Sequence, residues 1–142
     1  MIKACAALAA CLFLLAGSIG AQALTKDADG IFISKEQQGK IAMTANQALV
    51  VNAASTLSGE LYIRAGGSDC HYRYTKLLKT PTKTEAAQFA HAIKVEIEKQ
   101  KDNVILMLRA PAKAPWSGTN NSGRLKIIVE IPENSRVEVN TA

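Results

Sequence analysis

The chain has 142 residues and a formal charge of +5, with 20% charged and only 5% aromatic residues. That length is ordinarily one domain. The basic residues form no block, and there is no aromatic platform and no finger or helix-turn-helix spacing, which excludes a dedicated nucleic-acid binder.

Residues 1–23 carry the layout of a secretory signal peptide. Lys3 supplies a positive start, residues 4–16 are an apolar run, and Ala21-Gln22-Ala23 is an A-x-A cleavage site. The run is shorter than the roughly 20 residues of a spanning helix. Asp27 and Asp29 follow it, so cleavage is expected rather than anchoring, with no membrane span afterwards. Cleavage would leave residues 24–142 as a single β-rich domain with sixteen basic and twelve acidic residues, a charge of +4. Cys5 and Cys11 would leave with the leader and Cys70 would remain alone. An exported chain with one cysteine has no internal disulfide, so its stability must come from burial.

Residues 24–30 are polar, and residues 30–34 (Gly-Ile-Phe-Ile-Ser) are a short strand candidate. Residues 35–40 are charged and include Gly39, which predicts a turn. Val50 and Val51 favour a strand over 48–54, with a helix as the alternative for 44–49. After Ser58-Gly59, the side chains of Leu61, Ile63 and Ala65 alternate with Tyr62 and Arg64. Residues 66–69 (Gly-Gly-Ser-Asp) tolerate positive φ and read as a turn. Residues 70–78 alternate again, so the two segments are expected to be neighbouring strands across that turn.

The period then changes. Thr82 and Glu85 match a capping box after Pro81, and Ala86, Phe89, Ala90 and Ile93 form one apolar stripe, predicting a helix over 83–93. From Lys94 the period returns to two, with Val95 and Ile97 inward. Residues 104–108 are apolar on both faces and predict a central strand covered on both sides, by the helix on one. Residues 111–123 are a surface loop holding the single Trp116. Leu125, Ile127, Val129 and Ile131 then face inward, Pro132 ends the ladder, and Val137 and Val139 face inward again.

These residues carry a resemblance. The segment Ser58-Gly59-Glu60-Leu61-Tyr62-Ile63, the Gly66-Gly67 turn, the Tyr-rich strand, the Glu85-Ala86-Ala87 helix and above all residues 128–139 resemble the bacterial putative-adhesin domain family. The likeness covers residues 49–139. It implies an exported protein that coils as a β-solenoid, with a molecular function otherwise unknown. Family members continue past the Pro turn with several Gly turns and short V-x-V strands. This chain ends one strand into that series, so a member short of its C-terminal repeats is expected. The resemblance carries no catalytic or ligand residues. The fold expected is mainly β, sheet or solenoid-like, with one short helix.

Candidate chemistry is sparse. Cys70 and His71 are adjacent in an alternating strand, so they point to opposite faces; a buried structural cysteine beside a surface histidine is expected. Glu96 and Glu98 alternate with lysines as a solvated face, and the sequon at Asn120 carries little weight behind a bacterial leader. Trp116 reads either as a plug for its loop or as a stacking platform for a sugar. Tyr62, Tyr72 and Tyr74 could extend that platform, but cross-strand packing explains them more simply. No catalytic, metal or cofactor motif is present, so no enzyme and no cofactor is expected.

The leading expectation is an exported, non-enzymatic structural or interaction module of the cell envelope, periplasmic or at the surface. It would bind an envelope protein or polysaccharide, or associate with itself, through a free last strand at residues 136–139. Arg136 and Glu138 would be contact residues there and would discourage random pairing. The alternative is a small glycan- or ligand-binding module using the Trp116 loop.

Overall fold

The computed structural model describes residues 23–141; the leader expected at residues 1–23 lies outside these except for Ala23. Two β-sheets enclose the core. The strands are β1 (Leu24–Lys26), β2 (Phe32–Ser34), β3 (Gln37–Ile41), β4 (Ala48–Ala53), β5 (Ser58–Ala65) and β6 (Cys70–Lys79). The helix α1 (Lys83–Ala92) follows, then β7 (Lys94–Lys99), β8 (Asn103–Arg109), β9 (Ser122–Ile131) and β10 (Val137–Thr141). The larger sheet runs β1-β2-β6-β9-β5, with β3 also on β6, and the smaller runs β10-β4-β8-β7.

The stretch from Ser122 onward organises both sheets. β9 pairs antiparallel with β6 on one side and parallel with β5 on the other. Its alternation places Leu125, Ile127, Val129 and Ile131 in the core, at 3% exposure or less. Opposite them lie Leu49 and Val51 of β4 and Val104, Leu106 and Leu108 of β8, all buried. Fully burying each such side chain is worth roughly 1.5–3 kcal/mol, and this apolar row holds the two sheets together.

The insertion of β9 corrects one expectation. β5 and β6 are not neighbours; β9 lies between them. The chain passes from β8 in the smaller sheet to β9 in the larger, and from β4 to β5 likewise. β8 and β4 are parallel neighbours, as are β9 and β5. After Pro132 the chain returns to the smaller sheet as β10, parallel to the other side of β4. Asn140 Nδ2 there donates to Asn52 Oδ1 at 3.1 Å. The remaining strand pairs, including β7 on β8 and β3 on β6, are antiparallel, so the fold is a pair of mixed sheets.

Residues 37–41, expected to lie partly in a turn, form β3 along the first half of β6, with Gln37 opposite Tyr74 and Ile41 opposite Cys70. A polar sequence is tolerated because this strand pairs on one side only. At Gly39 an added Cβ would lie 2.3 Å from the Tyr72 hydroxyl, so a larger residue there would displace the Tyr72 ring. The helical alternative for residues 44–49 is not adopted; β4 begins at Ala48.

The helix forms where its signals predicted. Thr82 is the N-cap and its hydroxyl accepts from the Glu85 N–H at 3.2 Å. The reciprocal arm of the box is not made, and Glu85 Oε2 is buried without a partner among the described residues. Ala86, Phe89 and Ala90 are its buried face. That face packs on β6, β1 and β2 of the larger sheet rather than on β8, which corrects the second expectation. Ile105 and Met107 on the outward side of β8 are therefore only half-buried.

Beneath the last turn of α1, buried Lys76 of β6 donates from Nζ to the Ala90 carbonyl at 2.8 Å. A cation favours the free carbonyls of a helix C-terminus. Burial, and then the nearby Lys94 charge, nonetheless pull its pKa from 10.5 down to about 8. Below pH 8 both folded and unfolded chains carry the proton. Between pH 8 and 10.5 the unfolded chain binds more protons, so stability rises with pH across that window. A Lys76→Met variant should lose this rise, read as Tm against pH beside the wild type.

Candidate functional site

The two ends of the sheet pair differ. At one end α1 covers the inner face of the larger sheet against β1, β2 and β6. At the other end the sheets finish in β5 and β10. Three large hydrophobic residues are exposed among the described residues: Tyr62 at 44%, Val137 at 44% and Val139 at 52%. Tyr62 is on β5 and the two valines are on β10, so all three lie at this open end.

Their orientations follow from register. Val137 and Val139 pair with Leu49 and Val51, so they continue the inward-facing row, as expected. They are exposed because β10 is the outermost strand of its sheet and, among the described residues, no strand of the larger sheet lies opposite. Between β10 and β5 is a largely apolar cleft of about 170 Å³, bordered by Leu57, Gly59, Leu61, Leu125 and Val139. That compares with the roughly 150 Å³ cavity that an apolar core can leave for a small hydrocarbon.

The outer face at this end is charged. Glu60 of β5 pairs with Lys126 of β9, Tyr62 with Ile128, and Arg64 with Glu130. Glu60 and Lys126, and Arg64 and Glu130, thus carry opposite charges at facing positions of this parallel ladder. Arg136, just before β10, and Glu138 on it are exposed. The Arg136 carbonyl accepts from the Leu49 N–H at 2.8 Å and opens the β10–β4 ladder. Glu138 Oε1 accepts from Asn140 Nδ2 at 3.0 Å. Both residues sit on the sheet edge that the sequence singled out.

Trp116 lies elsewhere and its surfaces are occupied. It is 8% exposed, Nε1 donates to the Thr56 carbonyl at 2.9 Å, and Phe89 meets it edge-on at 5.5 Å between ring centroids. Its ring also covers Gly123, where a Cβ would lie 2.6 Å from Cε3. The residue is a plug that ties its loop to α1 and to the turn after β4, which leaves no indole face for a sugar. The tyrosines do not form one platform either. Tyr72 and Tyr74 pair with Val129 and Ile127 on the inner face, whereas Tyr62 pairs with Ile128 on the outer.

Cys70 and His71 point to opposite faces. Cys70 is fully buried, and burial pushes its thiol up to about 11. His71 shares a hydrogen bond with Gln38 on the outer face at 3.2 Å, beside a Lys40–Asp69 ion pair at 3.3 Å. Since the thiolate is the reactive form, native protein at pH 8 should remain unlabelled by iodoacetamide, whereas denatured protein should label fully. Rapid native labelling, seen by mass spectrometry, would contradict the packing. Among the described residues, no three His, Cys, Asp or Glu side chains gather as a metal site, and no helix is long and apolar enough to cross a membrane.

No family model and no curated protein matches the chain. Among solved structures, the chain is similar to one described as a putative cell adhesion protein from Clostridium sporogenes. The TM-score is 0.46 at 13% identity, covering 75% of this chain and 46% of that one. The chain thus corresponds to about half the length of that protein.

The signal that sequence reasoning missed is β5. Its alternation was visible, but its free edge is not, because only the insertion of β9 moves β5 to the outside of the sheet.

Proposed function

We propose that this protein is an exported, non-enzymatic interaction module of the bacterial cell envelope that engages its partner through the open end formed by β5 and β10. The observation that carries this reading is the apolar cleft bordered by Val139 at the open end, with Val137 and Val139 exposed along the inward side of β10 and Tyr62 exposed on the outer face of β5. Exposed apolar groups gathered beside a charged row are the physical character of a binding edge. The layout of residues 1–23 supports export, and β1 begins at Leu24, the residue after the A-x-A site. The resemblance of residues 128–139 to the adhesin domain supports an envelope role.

The test is retention of purified protein on washed envelopes from the source cells. A Val137→Asp/Val139→Asp variant should lose at least about tenfold in retention, since charge replaces the apolar edge. A Cys70→Ala variant should bind as the wild type does. Equal retention of the double variant and the wild type would overturn the reading.

A further inference from the structure

The open end has a step in it. β8 leads into β9 and β4 leads into β5, and the strands of these two pairs are parallel neighbours in their sheets. Beyond β4 the smaller sheet adds β10, but beyond β5 the larger sheet, among the described residues, adds nothing. The smaller sheet is therefore one strand longer at this end. The step is floored by the outer edge of β5 and walled by the inward side of β10, where Val139 borders the cleft. Each unpaired residue of an edge strand offers its N–H or C=O outward, a template for one more strand.

We propose that this step receives an extended peptide strand that pairs parallel to β5, places an apolar residue into the cleft, and carries a basic residue opposite Glu60 and an acidic residue opposite Arg64. This rests on the open-end reading above and names its partner chemistry. Parallel direction follows from the ladders already present at this end: β5 with β9, β4 with β8 and β10 with β4 are all parallel. The charge pattern follows from the covered side of β5, where β9 presents Lys126 to Glu60 and Glu130 to Arg64. A strand on the free side meets the same outward side chains, because side chains alternate between faces and not between edges. The apolar requirement comes from Leu57, Leu61 and Val139 around the cleft. The backbone supplies affinity and the alternate side chains supply selection, as in strand addition generally.

This chain contains a ready probe. A fluorescently labelled peptide of residues 124–131, Arg-Leu-Lys-Ile-Ile-Val-Glu-Ile, has the required alternation and charges. It is titrated into the full-length protein and followed by anisotropy, beside a peptide with its lysine and glutamate exchanged. Saturable binding is expected, tighter for the natural peptide by about tenfold, as two charge pairs turned from attraction to repulsion would give. The Glu60→Lys/Arg64→Glu variant should reverse that preference. Because this variant also disturbs the pairing with β9, Val139→Asp provides an independent arm. It leaves β5 untouched and should abolish binding of either peptide. No saturable binding to the wild type, equal affinity for the two peptides, or unchanged binding to Val139→Asp would each overturn the proposal. So would a stable dimer of the protein, by sedimentation, that excess peptide fails to dissociate, since a second copy would then occupy the step. If envelope retention depends on Val137 and Val139 while no peptide binds, the open-end reading stands and the strand proposal falls.

Discussion

A Trp116→Ala variant is expected to lose about 3–5 kcal/mol of stability, the range for removing a packed aromatic side chain from a core. The effect should be large because the indole joins three segments distant in sequence. It packs edge-on against Phe89 of α1, donates to the Thr56 carbonyl in the turn between β4 and β5, and covers Gly123 at the start of β9. Removing it empties the space under the loop and frees the Thr56 carbonyl to water. Urea denaturation followed by far-UV circular dichroism measures the loss. A change below about 1 kcal/mol would mean that the loop is not anchored by the indole. A sugar-stacking role predicts the opposite division, with stability little changed and binding lost.

A Gly59→Ala variant should cost about 2–4 kcal/mol, combining backbone strain with a forced contact. Gly59 has φ +147°, and an added Cβ would lie 1.8 Å from the carbonyl oxygen of Leu125, its register partner on β9. Neither group is a flexible side chain, so relief requires β5 to move away from β9. The same variant should weaken envelope retention, because β5 floors the step at the open end. Denaturant midpoints for wild type and variant decide it; equal midpoints would show that the close approach of β5 to β9 does not exist in solution.

What was legible in the sequence was local. Thr82, the apolar stripe through Phe89 and the return to alternation at Lys94 are signals within a few residues of one another, and they placed α1 and β7. The alternation of β9 likewise identified its inward row. Strand neighbours were not legible. β5 and β6 are joined by a tight turn and read as partners, but the apolar row of β9, nearly sixty residues further on, lies between them. Nothing local in residues 58–79 records that insertion. β3 was missed for a different reason: a strand paired on one side can be polar, and residues 35–40 read as a turn by composition. At the candidate site, the edge position of Arg136 and Glu138 was visible because Pro132 isolates a short final strand. The contribution of Glu60, Tyr62 and Arg64 was not, since it depends on which side of β9 each neighbour takes.

Amide hydrogen exchange on the protein with and without bound envelope partner tests the open-end account most directly. The account predicts new protection confined to β5 and β10, with the outward amides of residues 58–65 slowing on binding. Protection centred on the 111–121 loop or on α1, with β5 and β10 unchanged, would contradict it.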